Sequence, residues 1–413
     1  EKGGAAQRLR GVLSSGGTLT SSSQRYAVCA GADTPTTANC RKLLTCDNAS
    51  CGSLLDFSTA NAGAASSNPS LTAASLGVLD DAERDLLINW VRGQDVDDEN
   101  TNTVTTEVRP SVHGAVVHSQ PAVVDYGGAT GVYAFYGADD GAFHAIDGGK
   151  TDAEGIEAWG FIAPETYARL KRFRSNDPLV NFPGVLDLTA QSKSYFFDGS
   201  VGVYQKSTTG TVWIFPTMRR GGRAIYAFDV STPTSPTLKW RKGCFTNSTT
   251  DDSNCSAGWA GIGQTWSKPQ VAYLSGYVDG SGNPKPVLIF GGGYDTCEDT
   301  DSQARCAATP RKGANIWFVD ADTGAILRTY STNFSVAGDV FLSKDSTGYV
   351  TYVHAVDTGG YLYRINVKST DTTGTTFALW SNNTAASDID IANLSETNQA
   401  RKFLFGPDVV RYP

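Results

Sequence analysis

Carboxylates gathered on a cysteine-bearing stretch are the residues of this chain best suited to chemistry, and that chemistry is cation binding. Residues 294–307 read YDTCEDTDSQARCA. Hard cations such as Ca²⁺ bind several oxygens presented on one tight loop, and a bridge between Cys297 and Cys306 would pin this one. The alternative is a solvated insertion with ordinary turn-forming acids. The candidate ligands are Asp295, Glu298, Asp299 and Asp301.

A second acidic stretch, DVDDEN at 95–100, has weaker spacing for a metal. An EF-hand loop needs glycine at its sixth position and glutamate at its twelfth, and this stretch has neither. We therefore interpret Asp95, Asp97, Asp98 and Glu99 as a solvated acidic turn.

Signatures of enzymatic turnover do not appear in the sequence. No serine stands in a GxSxG elbow, and no glycine loop carries the Lys-Ser/Thr pair that cradles phosphate. The four histidines are too few to complete zinc sites with the cysteines. His144 and His354 lie among apolar neighbours and are predicted to be structural, whereas His118 is placed to hydrogen-bond between repeats. The sequence predicts that the protein is not an enzyme.

Eight cysteines fall in four close pairs within polar, turn-rich segments. An even number of cysteines in local pairs is typical of disulfides formed outside the cytosol. We expect a fragment or processed product of a secreted protein, because the chain starts at Glu1 without a leader. The predicted bridges are Cys29–Cys40, Cys46–Cys51, Cys244–Cys255 and Cys297–Cys306.

The overall composition excludes two classes of partner. The net charge is −8 with a pI near 5.1, and no basic stripe is present, which argues against binding to nucleic acid. No apolar stretch reaches the length that crosses a bilayer, so direct membrane insertion is not expected. Charged residues make up 18% of the chain, below the roughly 25% of an average domain, and glycine is abundant. This composition favours short strands and many turns.

The elements that must position the candidate sites form a repeat. Residues 131–159 contain an apolar run, an Asp-Asp-Gly turn, a second run and a strand centred on Trp159; Asp-Gly supplies the positive φ that a hairpin needs. Related units occur at 212–230, 287–320 and 348–365. Lead-in strands are predicted at 118–121, 198–200 and 266–269, and trailing strands at 157–161, 238–242, 326–330 and 377–381. Self-similar four-stranded units predict a mainly β fold, a modified β-propeller with insertions. A single twisted β-sandwich is the alternative.

The first 110 residues differ from the repeats. They are rich in Ser, Thr, Ala and Asn, and they contain four cysteines and one strong helix at 80–92. Asp80 and Asp81 suit the positive end of its dipole, and Leu86, Leu87, Trp90 and Val91 are predicted to share its apolar face. We therefore predict a small irregular and helical linker segment at 1–110, and a propeller domain at 111–413.

Several ordered motifs resemble those of one bacterial family. These are WVRG (90–93), RPSVHGAVVHSQPAVV (109–124), YGADDGAFHAID (136–147), YFFDGS (195–200), GGRAIYAFDV (221–230), GQTWSKPQV (263–271), IFGGGYDTCEDTD (289–301) and DTGGYLYRINV (357–367). Together they are similar to the C-terminal domain of the PilY/PilC family of type IV pilus tip adhesins. The resemblance implies a modified propeller whose last blades lie around or beyond Pro413. Members also carry an upstream von Willebrand A-like region, which this chain lacks.

The resemblance also implies a calcium loop just before DTGGYLYR. Here that stretch is LSKDSTGYVT (342–351), and the family's acidic positions hold Ser343, Thr347 and Thr351. Only Asp345 remains. Since one carboxylate with hydroxyls supplies too little charge for calcium, we interpret this site as a remnant. Calcium is the one cofactor that we retain for the chain.

The resulting hypothesis is a pilus-tip adhesin and biogenesis factor that binds surfaces or pilus partners through inserted loops. The resemblance implies minor pilins as partners, influence on pilus assembly and retraction, and an extracellular, outer-membrane-associated place reached through the periplasm; a host or abiotic surface would be the receptor. One alternative is a quinoprotein enzyme, because VDADTGAILRTY (319–330) looks like the repeat of pyrroloquinoline-quinone dehydrogenases. Another is a purely structural assembly factor. The candidate contact loops are 246–257 and 294–312, with Thr246, Asp251, Asp252, Trp259, Tyr294, Arg305 and Arg311.

Overall fold

The computed structural model describes residues 4–10, 25–29, 40–149, 155–181, 187–246, 248–299, 310–367, 390–395 and 401–410. The chain divides into two compact units. Unit 1 comprises Glu1–Asp198 with Asp229–Leu238, and unit 2 comprises Gly199–Phe228 with Lys239–Pro413. Among the described residues, no helix has both the length and the apolar character that a bilayer crossing requires.

Unit 1 contains the four α-helices of the described residues and one mixed sheet. In chain order its elements are α1 (Gly4–Arg10), β1 (Leu43–Thr45), β2 (Leu55–Asp56), α2 (Ala73–Leu76), α3 (Asp81–Arg92), β3 (Ala122–Asp125), β4 (Val132–Gly137), β5 (Ala142–Asp147), β6 (Glu157–Ile162) and α4 (Tyr167–Ser175). The sheet order is β2-β1-β6-β5-β4-β3. The β3–β6 meander contains the predicted repeat at 131–159, with β3 added before it, and β1 joins its outer strand β6 in parallel.

Helix α3 forms as the sequence predicts, with one difference in its buried face. The Asp80 side chain caps it by accepting from Glu83 N, and Gly93 ends it with φ of 110°, a conformation that glycine adopts without strain. Leu87, Trp90 and Val91 are buried, but Leu86 is 45% exposed and Ile88 is buried instead. The apolar face is therefore rotated by part of a turn, because α3 packs against α2 and α4 as well as the residues preceding it.

Unit 2 holds three four-stranded antiparallel meanders, apart from the few residues of β9 and β10 that fall in unit 1. Their strands are β7 (Val201–Lys206), β8 (Thr211–Pro216), β9 (Arg223–Asp229) and β10 (Thr237–Cys244); β11 (Gln270–Val278), β12 (Pro284–Gly291), β13 (Asn315–Asp320) and β14 (Ile326–Ser331); and β15 (Phe341–Lys344), β16 (Val350–Val356), β17 (Tyr361–Asn366) and β18 (Asp390–Asn393). The strands form separate sheets, not the two large layers of a sandwich.

The predicted trailing strands at 157–161, 238–242 and 326–330 lie in β6, β10 and β14. The one predicted at 377–381 lies outside the described residues, and β18 occupies the fourth position of its sheet.

Neighbouring sheets within unit 2 pack face to face. One apolar cluster joins the β7–β10 sheet to the β11–β14 sheet, and a second joins the β11–β14 sheet to the β15–β18 sheet. Trp259 and Trp317 stack in the first cluster with ring centroids 4.8 Å apart. Fully buried aromatic rings supply much of the stabilisation of such a core.

The lead-in segments have a common function. Ser119 accepts the backbone N–H of Gly137 at 2.9 Å, and Ser267 accepts that of Gly291 at 2.9 Å. Both glycines end the second strand of their sheet, where a Cβ would collide with the next segment of the chain. The His-Ser-Gln-Pro and Trp-Ser-Lys-Pro motifs therefore satisfy a buried donor at a crowded strand end.

Candidate functional site

Loops that follow β8, β10 and β12 are linked to one another in unit 2, and they contain most of the predicted contact residues. We call residues 218–222, 245–267, 292–299 and 310–313 the loop cluster. Arg220 pairs with Asp299 at 3.0 Å, Lys312 pairs with Asp252 at 2.5 Å, and the Thr249 and Thr296 hydroxyls lie 3.0 Å apart. The two loops predicted separately from the sequence thus form one surface.

Arg223 on β9 anchors the loop that follows β10. Its side chain is buried and donates to the carbonyls of Ile262 and Ala260, both at 2.8 Å. It also donates to the Asp251 carbonyl at 3.2 Å and pairs with the Asp252 carboxylate at 2.8 Å. A guanidinium has five donors in fixed directions, so one residue fixes several points of the loop.

A disulfide closes the same loop. Cys244, the last residue of β10, is bonded to Cys255. Among the described residues, the one group of three metal-type ligand atoms within 4.8 Å of each other is Cys244, Asp252 and Cys255. Because both sulfurs are in the disulfide, neither is available as the thiolate that a metal would need. This group therefore stabilises the loop.

Two of the predicted contact residues point to solvent. Asp251 and Asp252 are exposed, and Thr246 is half-buried. Although partial burial opposes it, Lys312 and Arg223 lower the pKa of Asp252, and hydrogen bonds from Ser253 lower that of Asp251. Both carboxylates are therefore anionic features of the loop surface at neutral pH.

Trp259 and Tyr294 do not belong to that surface, which corrects their prediction as contact residues. Trp259 is 1% exposed, in the stack with Trp317. Tyr294 is 6% exposed and lies flat on Trp266, with ring centroids 4.4 Å apart. The loops turn these rings inward because aromatic area is stabilised by removal from water, and the sequence does not reveal the direction.

The acidic loop shows paired carboxylates, not a common ligand sphere. Asp295 accepts Lys312 N at 2.8 Å and Cys297 N at 3.0 Å. Glu298 is buried and accepts the Thr358 hydroxyl at 3.1 Å, with the Lys402 ammonium 2.8 Å from its other oxygen. Asp299 accepts the Tyr294 hydroxyl at 2.9 Å and pairs with Arg220. These three carboxylates are not among the groups whose ligand atoms lie within 4.8 Å of one another in the described residues.

The described structure thus does not bring Asp295, Glu298 and Asp299 together as the predicted cation site. Asp301, Arg305 and Cys306 lie outside the described residues, and so does the predicted bridge from Cys297 to Cys306. Arg311 is half-buried, with its guanidinium 4.3 Å from the centre of the Phe334 ring.

Asp345 is part of the turn between β15 and β16. One carboxylate oxygen accepts from Thr347 N at 2.9 Å, the Thr347 hydroxyl at 2.6 Å and Tyr349 N at 3.1 Å. The Thr347 hydroxyl makes the largest contribution to lowering the pKa of Asp345. Asp-led turns of this type are stable without any ion.

Sequence reasoning missed a cation–aromatic stack in the loop cluster. The guanidinium of Arg219 lies 4.0 Å from the centre of the Trp266 ring, whose other neighbour is Tyr294. Arg219 has φ of 46°, which non-glycine residues adopt at a cost. The two arginines before Gly221-Gly222, in a turn where the other repeats have acids, were the signal that could have identified this stack.

Sequence reasoning also missed a buried charge network in unit 1. His144 Nδ1 lies 2.7 Å from Glu157, and its Nε2 lies 3.1 Å from Asp140. Glu157 also pairs with Arg41 at 2.5 Å. All four side chains are buried. His144 was predicted to be structural among apolar neighbours, but its neighbours are two carboxylates.

This geometry sets the protonation of the network. With a carboxylate at each ring nitrogen, His144 donates from both, so it is the imidazolium. Although burial lowers it, Asp140 and Glu157 raise the pKa of His144 to about 9. Although burial raises them, His144 and Arg41 hold the pKa values of Asp140 and Glu157 well below their usual range. Two cations thus balance two anions inside unit 1, away from solvent.

His118 makes the predicted link between repeats. Its Nδ1 lies 2.8 Å from the Asp198 carboxylate, and its backbone N–H donates to Asp198 at 3.2 Å. Lys268 N donates to Asp339 at 2.7 Å in the corresponding place of unit 2. Each link joins the lead-in of one sheet to the lead-in of the sheet that follows.

Cysteine pairing agrees with the predicted local bridges where it is described. Cys29–Cys40 and Cys46–Cys51 are disulfides, in addition to Cys244–Cys255. Each closes a short loop.

Comparison with known families gives the decisive match. A family model described as the PilY1 beta-propeller domain matches residues 113–389. The chain belongs to this family. The match covers all four meanders except β18, which begins at Asp390, so the predicted mainly β propeller fold is confirmed.

Curated relatives in the same family are longer proteins. The type IV pilus biogenesis factor PilY1 homolog of Xylella fastidiosa is 25% identical over 67% of this chain and 21% of its own length. The type IV pilus biogenesis factor PilY1 of Pseudomonas aeruginosa is 24% identical over 68% of this chain and 22% of its own length. The chain therefore matches about a fifth of the length of these relatives.

Solved structures show more distant likeness. The crystal structure of the Pseudomonas aeruginosa PilY1 C-terminal domain is 20% identical with a TM-score of 0.40, over 68% of this chain and 50% of that one. A quinohemoprotein alcohol dehydrogenase from Comamonas testosteroni is 18% identical with a TM-score of 0.30, over 57% of this chain and 32% of that one.

The quinoprotein-like repeat at 319–330 has a structural explanation in this chain. Asp320 accepts Thr323 N at 2.8 Å and the Thr323 hydroxyl at 2.9 Å, which shapes the β13–β14 turn. Its other oxygen lies 2.6 Å from the Lys285 ammonium. Asp320 therefore stabilises the β13–β14 turn and pairs with Lys285 on β12.

Proposed function

We propose that this chain is the binding domain of a type IV pilus biogenesis factor and tip adhesin, and that the loop cluster makes the contact. The supporting observation is that the two inserted loops are joined by the Lys312–Asp252 ion pair and the Thr249–Thr296 hydroxyl contact, while Asp251 and Asp252 remain exposed. Recognition loops held on a rigid scaffold lose little entropy on binding. The proposed activity is binding without turnover chemistry.

The relatives' printed names supply the biological setting of the proposal. Proteins called type IV pilus biogenesis factors match two thirds of this chain. We propose an extracellular, pilus-associated location, reached by export through the periplasm, with minor pilins and a host or abiotic surface as partners. The disulfides suit an oxidising compartment.

The test separates adhesion from assembly. In the full-length protein, residues 246–253 are replaced by a short Gly-Ser linker, and surface pili and adhesion per pilus are measured in the producing bacterium. We expect adhesion per pilus to fall at least tenfold while pilus number changes less than twofold.

A matched control trims the β11–β12 turn at 279–283, which is exposed but lies outside the loop cluster. Trimming it should leave both quantities unchanged. If the 246–253 replacement lowers pilus number and leaves adhesion per pilus intact, the protein is the structural assembly factor, and the adhesin proposal is wrong.

A further inference from the structure

A cleft of about 220 Å³ opens in unit 1, apart from the loop cluster. Its apolar wall includes Phe173 of α4 and the buried Phe196, whose rings meet edge to face at 6.1 Å. Its charged lining residues are Asp139, Arg172 and Lys193. Apolar clefts with a few polar groups are the usual form of small binding sites.

Arg172 has no N–H left for a ligand. Its five donors are all used, four on backbone carbonyls and one on a side-chain hydroxyl. The acceptors are Pro178 O at 2.9 Å, Ser192 O at 2.6 Å, Ser194 Oγ at 3.3 Å, Leu179 O at 3.1 Å and Gln191 O at 2.9 Å. Because a guanidinium has five donors, Arg172 shapes the wall of the cleft and does not recruit an anion.

Asp139 and Lys193 form an ion pair with unequal members. The Asp139 side chain is 8% exposed, whereas that of Lys193 is 38% exposed, and the two charged atoms are 2.6 Å apart. Among the described residues, the Lys193 ammonium is the one partner of this carboxylate oxygen. Burial raises the pKa of Asp139, and Lys193 opposes that change.

This inequality decides which charge a ligand carries. The Lys193 ammonium can swing into water at little cost to itself, because its side chain is already 38% exposed. Asp139 cannot, and leaving it unpaired would be costly. An anion bound to Lys193 would leave the Asp139 carboxylate without a counter-ion. A cation can instead replace Lys193 and keep Asp139 paired.

We propose that this cleft binds the side chain of a lysine from a partner polypeptide, with its ammonium on Asp139 and its methylenes against Phe173 and Phe196. Lysine combines a compact ammonium with an apolar stem. Lys193 shows that a lysine ammonium reaches the carboxylate, and it acts as the intramolecular competitor. The site is in unit 1, and its test does not depend on adhesion through the loop cluster.

The experiment is an NMR saturation-transfer titration of the purified 413-residue chain at pH 7.5. The probe is Nα-acetyl-lysine methylamide, whose side-chain ammonium is free. The norleucine analogue has a similar apolar stem without the charge. We expect the lysine probe to bind at millimolar concentration and the norleucine probe at least tenfold more weakly. Free 1,5-diaminopentane tests the other source of an alkylammonium, and tighter binding than the peptide probe would overturn the polypeptide assignment.

Variants make the outcome decisive. Asp139→Asn should abolish binding of the lysine probe. Lys193→Ala should tighten it about two- to fivefold, the effect of removing a partly exposed competing ion pair. Lys171→Ala removes an exposed charge from α4 outside the cleft lining and should change nothing.

A gain of affinity cannot result from unfolding, so Lys193→Ala tests the idea even if Asp139→Asn is unstable. Unchanged or weaker binding in Lys193→Ala, no binding of the lysine probe at tens of millimolar, or preference for N-acetyl-glutamate methylamide would each overturn the proposal.

Discussion

Single side chains in unit 1 show how much charge this fold buries. His144 lies between two carboxylates, and Arg41 reaches Glu157 from a segment 116 residues away in sequence. Arg41 also donates to the carbonyls of Val91 and Arg92 at 3.0 Å. The network therefore joins the end of α3 to the sheet. Histidine is often a catalytic residue, but His144 has a structural role in this network.

The first prediction is a pH dependence that originates in His144. Its pKa is raised to about 9 from an unfolded value of about 6.5. Its contribution is fully present below pH 6.5 and is lost as the pH rises through 9. We expect His144→Gln to lower the free energy of unfolding by on the order of 3 kcal/mol at pH 6, and the difference from wild type to shrink above pH 9.

Asp140 and Glu157 act in the opposite direction, because their pKa values are lowered and their contribution is lost in acid. Their contribution is constant above the unfolded values of about 4, so chemical denaturation from pH 5 to pH 10 isolates the effect of His144. His354→Gln is the control; burial lowers the pKa of His354, so this variant should change stability by less than about 1 kcal/mol. If the difference in free energy of unfolding between wild type and His144→Gln stays constant over this pH range, His144 does not titrate as described.

The second prediction concerns the serines of the lead-in motifs. Ser119→Ala and Ser267→Ala each leave the backbone N–H of a buried glycine without an acceptor. We expect each to lower the free energy of unfolding by about 1–3 kcal/mol. Ser281→Ala, in an exposed turn, should change it by less than about 0.5 kcal/mol. Equal effects from all three would mean that the repeated hydroxyl has no special role.

At the scale of elements, the loop after β10 is held in two ways. A disulfide closes its base, and Arg223 with Lys312 holds its middle through Asp252. A loop secured twice keeps its shape when one restraint is removed, which suits a contact surface.

The third prediction follows from loop length. Replacing Cys244 and Cys255 by serine frees a loop with a separation of 11, whereas Cys46 and Cys51 close one of 5. Since the longer loop constrains the unfolded chain more, we expect losses of about 3 and about 2 kcal/mol respectively. Thermal unfolding shows which of the two variants loses more stability. Limited proteolysis should cut residues 245–256 only slowly in the Cys244/Cys255 variant, because Arg223 still holds the loop. Rapid cutting there would contradict the role given to Arg223.

At the scale of the whole molecule, the chain is a propeller of the PilY1 family in which the 342–351 stretch carries one carboxylate, that of Asp345. The Asp345 carboxylate accepts three hydrogen bonds within its own turn. The acidic loop at 294–299 pairs its described carboxylates with backbone or cationic partners. Neither the Asp345 turn nor the described part of the acidic loop presents a set of unpaired oxygens to a hard cation.

The fourth prediction tests calcium. Thermal unfolding of the purified domain with a chelator and with millimolar calcium should give the same midpoint. A bound cation stabilises the folded state according to its concentration and dissociation constant, so an occupied site would raise the midpoint by several degrees. Such a rise would establish a calcium site, and Asp345→Ala would then show whether the family loop holds it.

The sequence alone determined the features that depend on neighbours in the chain. Asp-Gly turns, the meander of short strands, the cap of α3 and three of the four local disulfides all follow from residues a few positions apart, and the structure confirms them. The four repeated units were visible because each folds by the same short-range rules.

Only the tertiary structure decided what lies inside and what lies outside. Trp259 and Tyr294 occupy loops, yet their rings are buried, and Leu86 is exposed on a helix whose pattern placed it in the core. The partners of His144 and Arg41 come from distant segments. Burial and long-range pairing depend on how separate elements pack together, and no short stretch of sequence contains that information.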